Sequence, residues 1–429
     1  MRTFYTFPVD DIEAFKLQLL EVSNHVNHFC YLDSNNYPNY PYSTFGSFFA
    51  IDAVDVISVD KDCLQQLDKF QQKHQDWLFG FLNYDLKNEI EASLSSNNID
   101  YIQNSLLHFF VPKYLVKIEK GKVEVGIISD SDSDLDDFKS LINCQPFSQL
   151  LNLKSEILNR LSKQDYIETI HKIKQHIQLG DIYEMNFCQE YYAENATINP
   201  TLVFNKLNTI SKAPFTSFFK NDANYLMCAS PERFLKRNNN TLISQPIKGT
   251  RRRSKDEQED KFIKQQLFFD EKERSENVMI VDLVRNDFSK IAIKNSVDVE
   301  ELFGIYSFEQ VHQMISTITC NIPQNLSFSE IIKATFPMGS MTGAPKIAAM
   351  QLIEAYEQTK RGLFSGAVGY ITPKGNFDFN VVIRSIFYNE QNKYISIQTG
   401  SAITIDCDAE KEYEECLLKA KAMLEALSA

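Results

Sequence analysis

With 43% hydrophobic and 24% charged residues, a chain of 429 residues has enough apolar sequence for a large buried core, which excludes a disordered chain. A formal charge of -13 repels a nucleic-acid backbone and disfavours nucleic-acid binding; it also repels a small dianion, so an anionic substrate needs a few placed Lys and Arg residues. The longest apolar runs, such as Val278 to Val281 and Gly366 to Ile371, are too short for a membrane helix of roughly 20 residues, and Met-Arg-Thr-Phe-Tyr lacks the basic start and apolar stretch of a signal peptide.

The expectation is a cytoplasmic protein without membrane contact, whose eight scattered cysteines, with no C-x-x-C pair, are reduced buried thiols. Residues 1–128 are aromatic-rich and form an N-terminal portion. Residues 129–150 open with SDSDSDLDD, Ser129 to Asp137, too polar to bury and expected as a linker to a core over 151–429. In that core Tyr166, Ile170, Ile173 and Ile177 recur on one helical stripe that Gly180 can end, and a strand follows. Alternation and β-branched content predict further strands near Tyr225 to Ala229, Thr241 to Gln245, Gly366 to Ile371, Phe377 to Tyr388 and Tyr394 to Thr399. The last helix has Asp408 as N-cap and an apolar stripe of Tyr413, Leu417, Ala420, Leu424 and Leu427, with Glu412, Glu415, Lys419, Ala422 and Ala426 on another face. Long helices and strands with hairpin-like links predict a mixed fold with antiparallel sheets.

Four patterns carry chemistry, each also compatible with ordinary surface or turn structure. In SQPIKGTRRR, Ser244 to Arg253, a strand ends in Pro, Lys, Gly and Thr before a basic cluster; a nucleophilic Lys248 needs burial or cationic neighbours to lower its pKa, and Arg251, Arg252 and Arg253 can supply the second condition. In KERSENVMIVDLVRND, Glu273 and Glu276 sit three apart on a helix. Glu412 and Glu415 repeat that spacing, so two helices can offer two acidic pairs to one magnesium ion. In FPMGSMTGAPK, Gly339 and Gly343 bracket a turn and Pro345 suits a helix opening, whose N–H groups suit an anion. In RGLFSGAVGYITPKGNFDFNVVIRSIFY, Arg384 lies late in an apolar strand and needs a carboxylate from the protein or from a ligand.

SPERF, PIKGT, VDLVRND, TGAPK, RGLFSGAVGY and the acidic last helix, in this order over Tyr166 to Leu427, resemble the chorismate-utilising enzymes; WLFGFLNYDL matches more loosely. That resemblance implies an α+β fold, a two-subdomain sandwich of antiparallel β-sheets with helices outside and the substrate between them. It implies Mg2+ on Glu276 and Glu415, with Glu273 and Glu412 supporting through water. Arg384, Lys419, the backbone at Gly400, and Thr250 are implied as substrate-binding, and Glu232 as the acid that protonates the departing ring hydroxyl.

Lys248 chooses the branch. The family's aminodeoxychorismate synthases read PIKGT where its anthranilate synthases read PIAGT, so the resemblance implies amination of chorismate to 4-amino-4-deoxychorismate for p-aminobenzoate and folate, with Lys248 adding covalently to the ring before ammonia displaces it. Anthranilate synthase component I is the alternative. No cysteine sits in a G-x-C-x-G elbow, so a separate glutamine amidotransferase subunit is expected to supply ammonia. This chain departs from the pattern at Glu184, where aminating members carry Gln and water-activating members Lys, and at Gln313, Phe364 and Ala402, where His, Tyr and Gly are usual.

Overall fold

The computed structural model describes residues 2–37, 40, 42, 46–128, 134–143, 153, 155–309 and 311–428. Its strands alternate buried and less buried residues poorly, because most are covered on both faces. They join in antiparallel ladders. One sheet runs from Arg2–Phe7 through Lys122–Ile128, Leu107–Glu119, Ser47–Val59, His28–Asp33, Phe215–Asn221, Asn224–Ser230, Ser385–Asn389 and Tyr394–Ile403 to Glu184–Ala193. A second leaves the shared strand Leu107–Glu119 through Leu78–Leu82, Ala367–Ile371, Phe377–Val381, Arg233–Asn238, Thr241–Gln245 and Val311–Asn321, which Ile247–Arg252 and Asp298–Ser307 flank.

Parity along the strands divides the core. Leu226 and Cys228 point into a cluster with Phe81, Phe109, Phe219, Phe234 and Phe379 between the sheets. Met227 points the other way, with Phe218, Ile397 and Ala420, under helices Pro200–Ile210 and Ala409–Leu427. Strands from the N-terminal portion are thus interleaved with strands from the core: Phe29 pairs with Lys220 and Gly80 with Gly369. The architecture is the expected sandwich of antiparallel sheets with helices outside.

Several elements form as expected. Helix Lys163–Leu179 ends at Gly180, whose φ of 85 degrees suits glycine, and Asp408 caps the last helix with bonds to Glu410 and Lys411. Others differ. The strand expected over Phe377 to Tyr388 breaks into Phe377–Val381 and Ser385–Asn389. On the last helix Leu417 is exposed, while Glu412, Cys416, Met423 and Ala426 are buried with Tyr413, Ala420 and Leu427. The buried stripe is therefore rotated from the expected one, because the helix lies across both the sheet and helix Lys163–Leu179. Within the expected linker, Asp134–Ile142 is helical and buries Phe138 and Ile142 against the sheet; residues 129–133 and 144–150 lie outside the described residues. Among the described residues no helix is long and apolar enough to cross a membrane, and the seven described cysteines are free and buried.

Candidate active site

The site is built where the second sheet's edge meets the first strand of the core. Strand Thr241–Gln245 does not end the ladder as expected; after Pro246 the chain re-enters it as Ile247–Arg252, with a register shift between Ile247 and Thr250. Gly249 sits at φ 91 degrees in that bulge. Lys248 next to it is buried, and its Nζ donates to Glu184 Oε1 at 2.7 Å. Burial by itself would lower the lysine, but Glu184, Glu276 and Glu232 together hold it well above its ordinary value. Of the two conditions expected to lower the amine, burial is met but outweighed by these carboxylates, and arginine neighbours do not supply the other. Arg251 binds Asp270 and Glu273 at 2.6 and 3.0 Å, and Arg253 binds Asp260 at 2.9 Å, so these two arginines face the surface helices, while Arg252 is exposed.

Glu232 lies in the turn between Asn224–Ser230 and Arg233–Asn238, is buried, and accepts a 2.6 Å bond from the Ser340 hydroxyl. Burial pushes its carboxyl up to about 7, against the pull of Ser340, Lys248 and the Ile247 N–H. A carboxyl protonated near neutrality beside Lys248 can act as an acid. Ser340 belongs to the FPMGSMTGAPK segment, where Gly343–Ala344 pairs with Glu184 and Met185. A Cβ on Gly343 would collide with the carbonyl oxygen of Glu184, so this glycine permits the close approach that fixes Glu184.

On helix Glu271–Ser289 the two glutamates part company. Glu273 turns to Arg251, whereas Glu276 is buried, pushed up to about 7 chiefly by burial, and leaves Oε1 without a hydrogen bond. Lys272 reaches between helices, 3.7 Å from Glu276 and 3.5 Å from Glu412. Glu415 pairs with Lys419 at 2.6 Å. Among the described residues no three His, Cys, Asp or Glu side chains form a closed metal cage. Magnesium needs no such cage, since it keeps several waters and takes one or two carboxylates. The Glu276 oxygen, which takes part in no hydrogen bond among the described residues, and the ammonium already drawn between Glu276 and Glu412 fit a divalent cation there.

Arg384 is not inside a strand, as expected, but in the break at φ 54 degrees, a strained position for a non-glycine residue. Its Nη1 donates to the Lys419 carbonyl at 3.2 Å, and no carboxylate of the described residues lies within ion-pair distance of it. The need for a carboxylate thus falls to a ligand. Lys419 Nζ donates to the Gly400 carbonyl at 2.7 Å, and a Cβ on Gly400 would strike Cys188 and Asn186. Thr250 is exposed opposite Gln313, which is buried with an unpartnered Oε1. His312 faces away and is held by Asp260 at 3.0 Å and Ser307 at 2.8 Å. Phe364 is buried in the apolar core, and Ala402 pairs with Asn186.

Three contributors escaped the sequence reading: Ser340, Lys272, and the pair Arg361–Glu357. Arg361 is buried, bidentate to Glu357 at 2.6 and 2.9 Å, and donates to the carbonyls of Met341 and Asn186. It ties the RGLFSG and TGAPK segments to the strand of Glu184. The i,i+4 spacing of Glu357 and Arg361 was visible, but such pairs are usually surface pairs.

A buried lysine, a glutamic acid pushed up to about 7 and an arginine with no described carboxylate in ion-pair distance thus belong to one site in a sandwich of antiparallel sheets. The sequence model of the chorismate binding enzyme family matches residues 28–425, and the chain belongs to that family. It is 34% identical to aminodeoxychorismate synthase component 1 of Escherichia coli over 69% of this chain and 65% of that protein, and 32% identical to chloroplastic aminodeoxychorismate synthase of Arabidopsis thaliana over 81% of this chain and 40% of that protein. The matched stretch thus spans less than two thirds of these relatives. It is also similar to the crystal structure of anthranilate synthase component I from Streptococcus pneumoniae, with a TM-score of 0.79, 26% identity, and 90% and 94% of the two chains covered. The fold is shared by the menaquinone-specific isochorismate synthase from Escherichia coli, at a TM-score of 0.81 and 18% identity over 100% and 94% of the chains.

Proposed function

We propose that this chain is an aminodeoxychorismate synthase component I, which aminates chorismate with ammonia to 4-amino-4-deoxychorismate on the route to p-aminobenzoate and folate. The observation that carries the reading is Lys248, a buried amine on the bulged strand beside the protonatable Glu232. Arg384 and Lys419 supply cations for the substrate's carboxylates, reversing locally the field of a chain with formal charge -13. Glu232 gives its proton to the departing ring hydroxyl, since hydroxide leaves poorly. The Lys248 nitrogen bonds to the ring as that hydroxyl leaves as water, and ammonia then displaces the lysine.

Magnesium, when bound, supplies positive charge against the ring carboxylate. Glu276 and Glu415 would hold it, with Glu273 and Glu412 reaching it through water. A separate glutamine amidotransferase subunit in the cytoplasm supplies ammonia. Gln313, which exchanges no proton near neutral pH, fits an enzyme that stops at the aminated product and leaves elimination to another catalyst.

The test is the purified chain with chorismate, magnesium and ammonium, its products resolved by chromatography. Aminodeoxychorismate is expected; anthranilate or isochorismate as the main product overturns the reading. Glutamine should replace ammonium only when the amidotransferase subunit is added.

A further inference from the structure

The chain's own departure at position 184 puts a carboxylate against the proposed nucleophile. Glu184 opens the buried strand Glu184–Ala193, and its backbone is pinned by the ladder to Gly343–Ala344. Its side chain is 1% exposed: Oε1 accepts from Lys248 Nζ at 2.7 Å, while Oε2 is buried with no hydrogen-bond partner among the described residues. The charged groups facing this pair are Glu276 from helix Glu271–Ser289, Glu232 from the turn before Arg233, and Glu415 at longer range from the last helix; Lys272 faces Glu276 from its other side. Of these carboxylates, Glu184 holds the hydrogen bond to Nζ. Glu232 takes its bond from Ser340 and serves as a proton donor.

We infer that Glu184 is the proton acceptor that activates Lys248, taking the proton from Nζ through Oε1 as the nitrogen attacks and returning it when the amine is released. This rests on the reading of Lys248 as the covalent nucleophile. The balance closes. The ammonium and carboxylate become amine and carboxylic acid; the N–C bond forms while the C–O bond breaks, and Glu232 protonates the oxygen, which leaves as water. Ammonia's lone pair then forms the second C–N bond and expels the Lys248 amine. The product's ammonium reprotonates Glu232, and Glu184 returns its proton to Lys248. The surrounding carboxylates hold Lys248 as an ammonium at rest, so the proton passes to Glu184 only as the N–C bond forms; burial favours that neutral pair, since it removes two charges from a site in which one carboxylate oxygen has no hydrogen bond.

Adduct formation reads the step directly. The full chain is mixed with chorismate and magnesium without ammonia, quenched, and the substrate-less-water mass on the Lys248 peptide is followed between about pH 5 and 6, where Glu232 stays largely protonated. Wild type is expected to show a nearly constant rate, since the proton moves inside the pair. Glu184→Gln, which keeps the shape but accepts no proton, is expected to be roughly 100-fold slower at the low end and to speed up about tenfold per pH unit. Glu184→Asp, a shorter carboxylate, should keep the flat profile at a reduced rate. Adduct formation in wild type with the same rate and slope in Glu184→Gln overturns the role of Glu184 alone. A chain that makes aminodeoxychorismate with no adduct overturns the nucleophile reading itself, and this inference with it.

Discussion

Two buried polar regions lie side by side in this protein and are wired in opposite ways. In the knot of Arg361, every strong donor has an acceptor: Glu357 takes two bonds, the Met341 and Asn186 carbonyls take one each, and Ser365 lies at 3.3 Å. A few residues away, around Lys248, the groups are equally buried but incomplete. Among the described residues Glu184 Oε2, Glu276 Oε1 and Gln313 Oε1 take part in no hydrogen bond, and no carboxylate lies within ion-pair distance of Arg384. The first arrangement specifies the fold. The second holds unspent hydrogen-bonding capacity and charge for a ligand, which is why it marks the site better than burial does.

The largest expected break of this contrast is Lys248→Ala, which should lower amination by more than about a thousandfold and, because it leaves Glu184 buried without its cation, should lower the melting temperature as well. A modest loss with unchanged product would reduce the lysine to a neighbouring charge. Glu232→Gln removes the proton donor and should lower kcat about 100- to 1000-fold without moving KM much; steady-state kinetics checks it.

Arg361→Ala should act through stability instead, costing about 3–5 kcal/mol in urea unfolding because Glu357 is left buried and uncompensated. Arg384→Met, by contrast, should leave unfolding unchanged or slightly harder and raise KM for chorismate, since it removes a cation that no described carboxylate approaches within ion-pair distance. If Arg384→Met destabilised as strongly as Arg361→Ala, the distinction between knot and site would be lost.

The smallest effect concerns pH. Glu232 and Glu276 are each pushed from 4.5 to about 7 in the folded chain, so between those values the folded state binds more protons than the unfolded one. Their contribution to stability without metal or substrate is therefore present below about pH 4.5 and lost as pH rises through 7. Subtracting the pH dependence of melting of Glu276→Gln from that of wild type should leave a difference that falls across this window; a difference that rises would place Glu276 in a satisfied environment. The same variant should weaken the magnesium titration.

Much of this protein was legible in its residues because the signals are local. Helical spacing from Tyr166 to Ile177, the cap at Asp408 and the alternation over Thr241 to Gln245 each express a preference of a few neighbouring residues, and the motif set from SPERF to TGAPK named the candidates. What no local pattern held was the pairing of those candidates. The 2.7 Å contact of Lys248 with Glu184 joins residues 64 positions apart, and the turning of Glu273 toward Arg251 separates two glutamates that spacing had put together. The break at Arg384 and the rotated face of the last helix depend likewise on what packs against them. Protonation states follow from such long-range neighbours and from depth of burial, so only the assembled sheets decide that the lysine rests as an ammonium and the adjacent glutamic acid keeps its proton near neutrality.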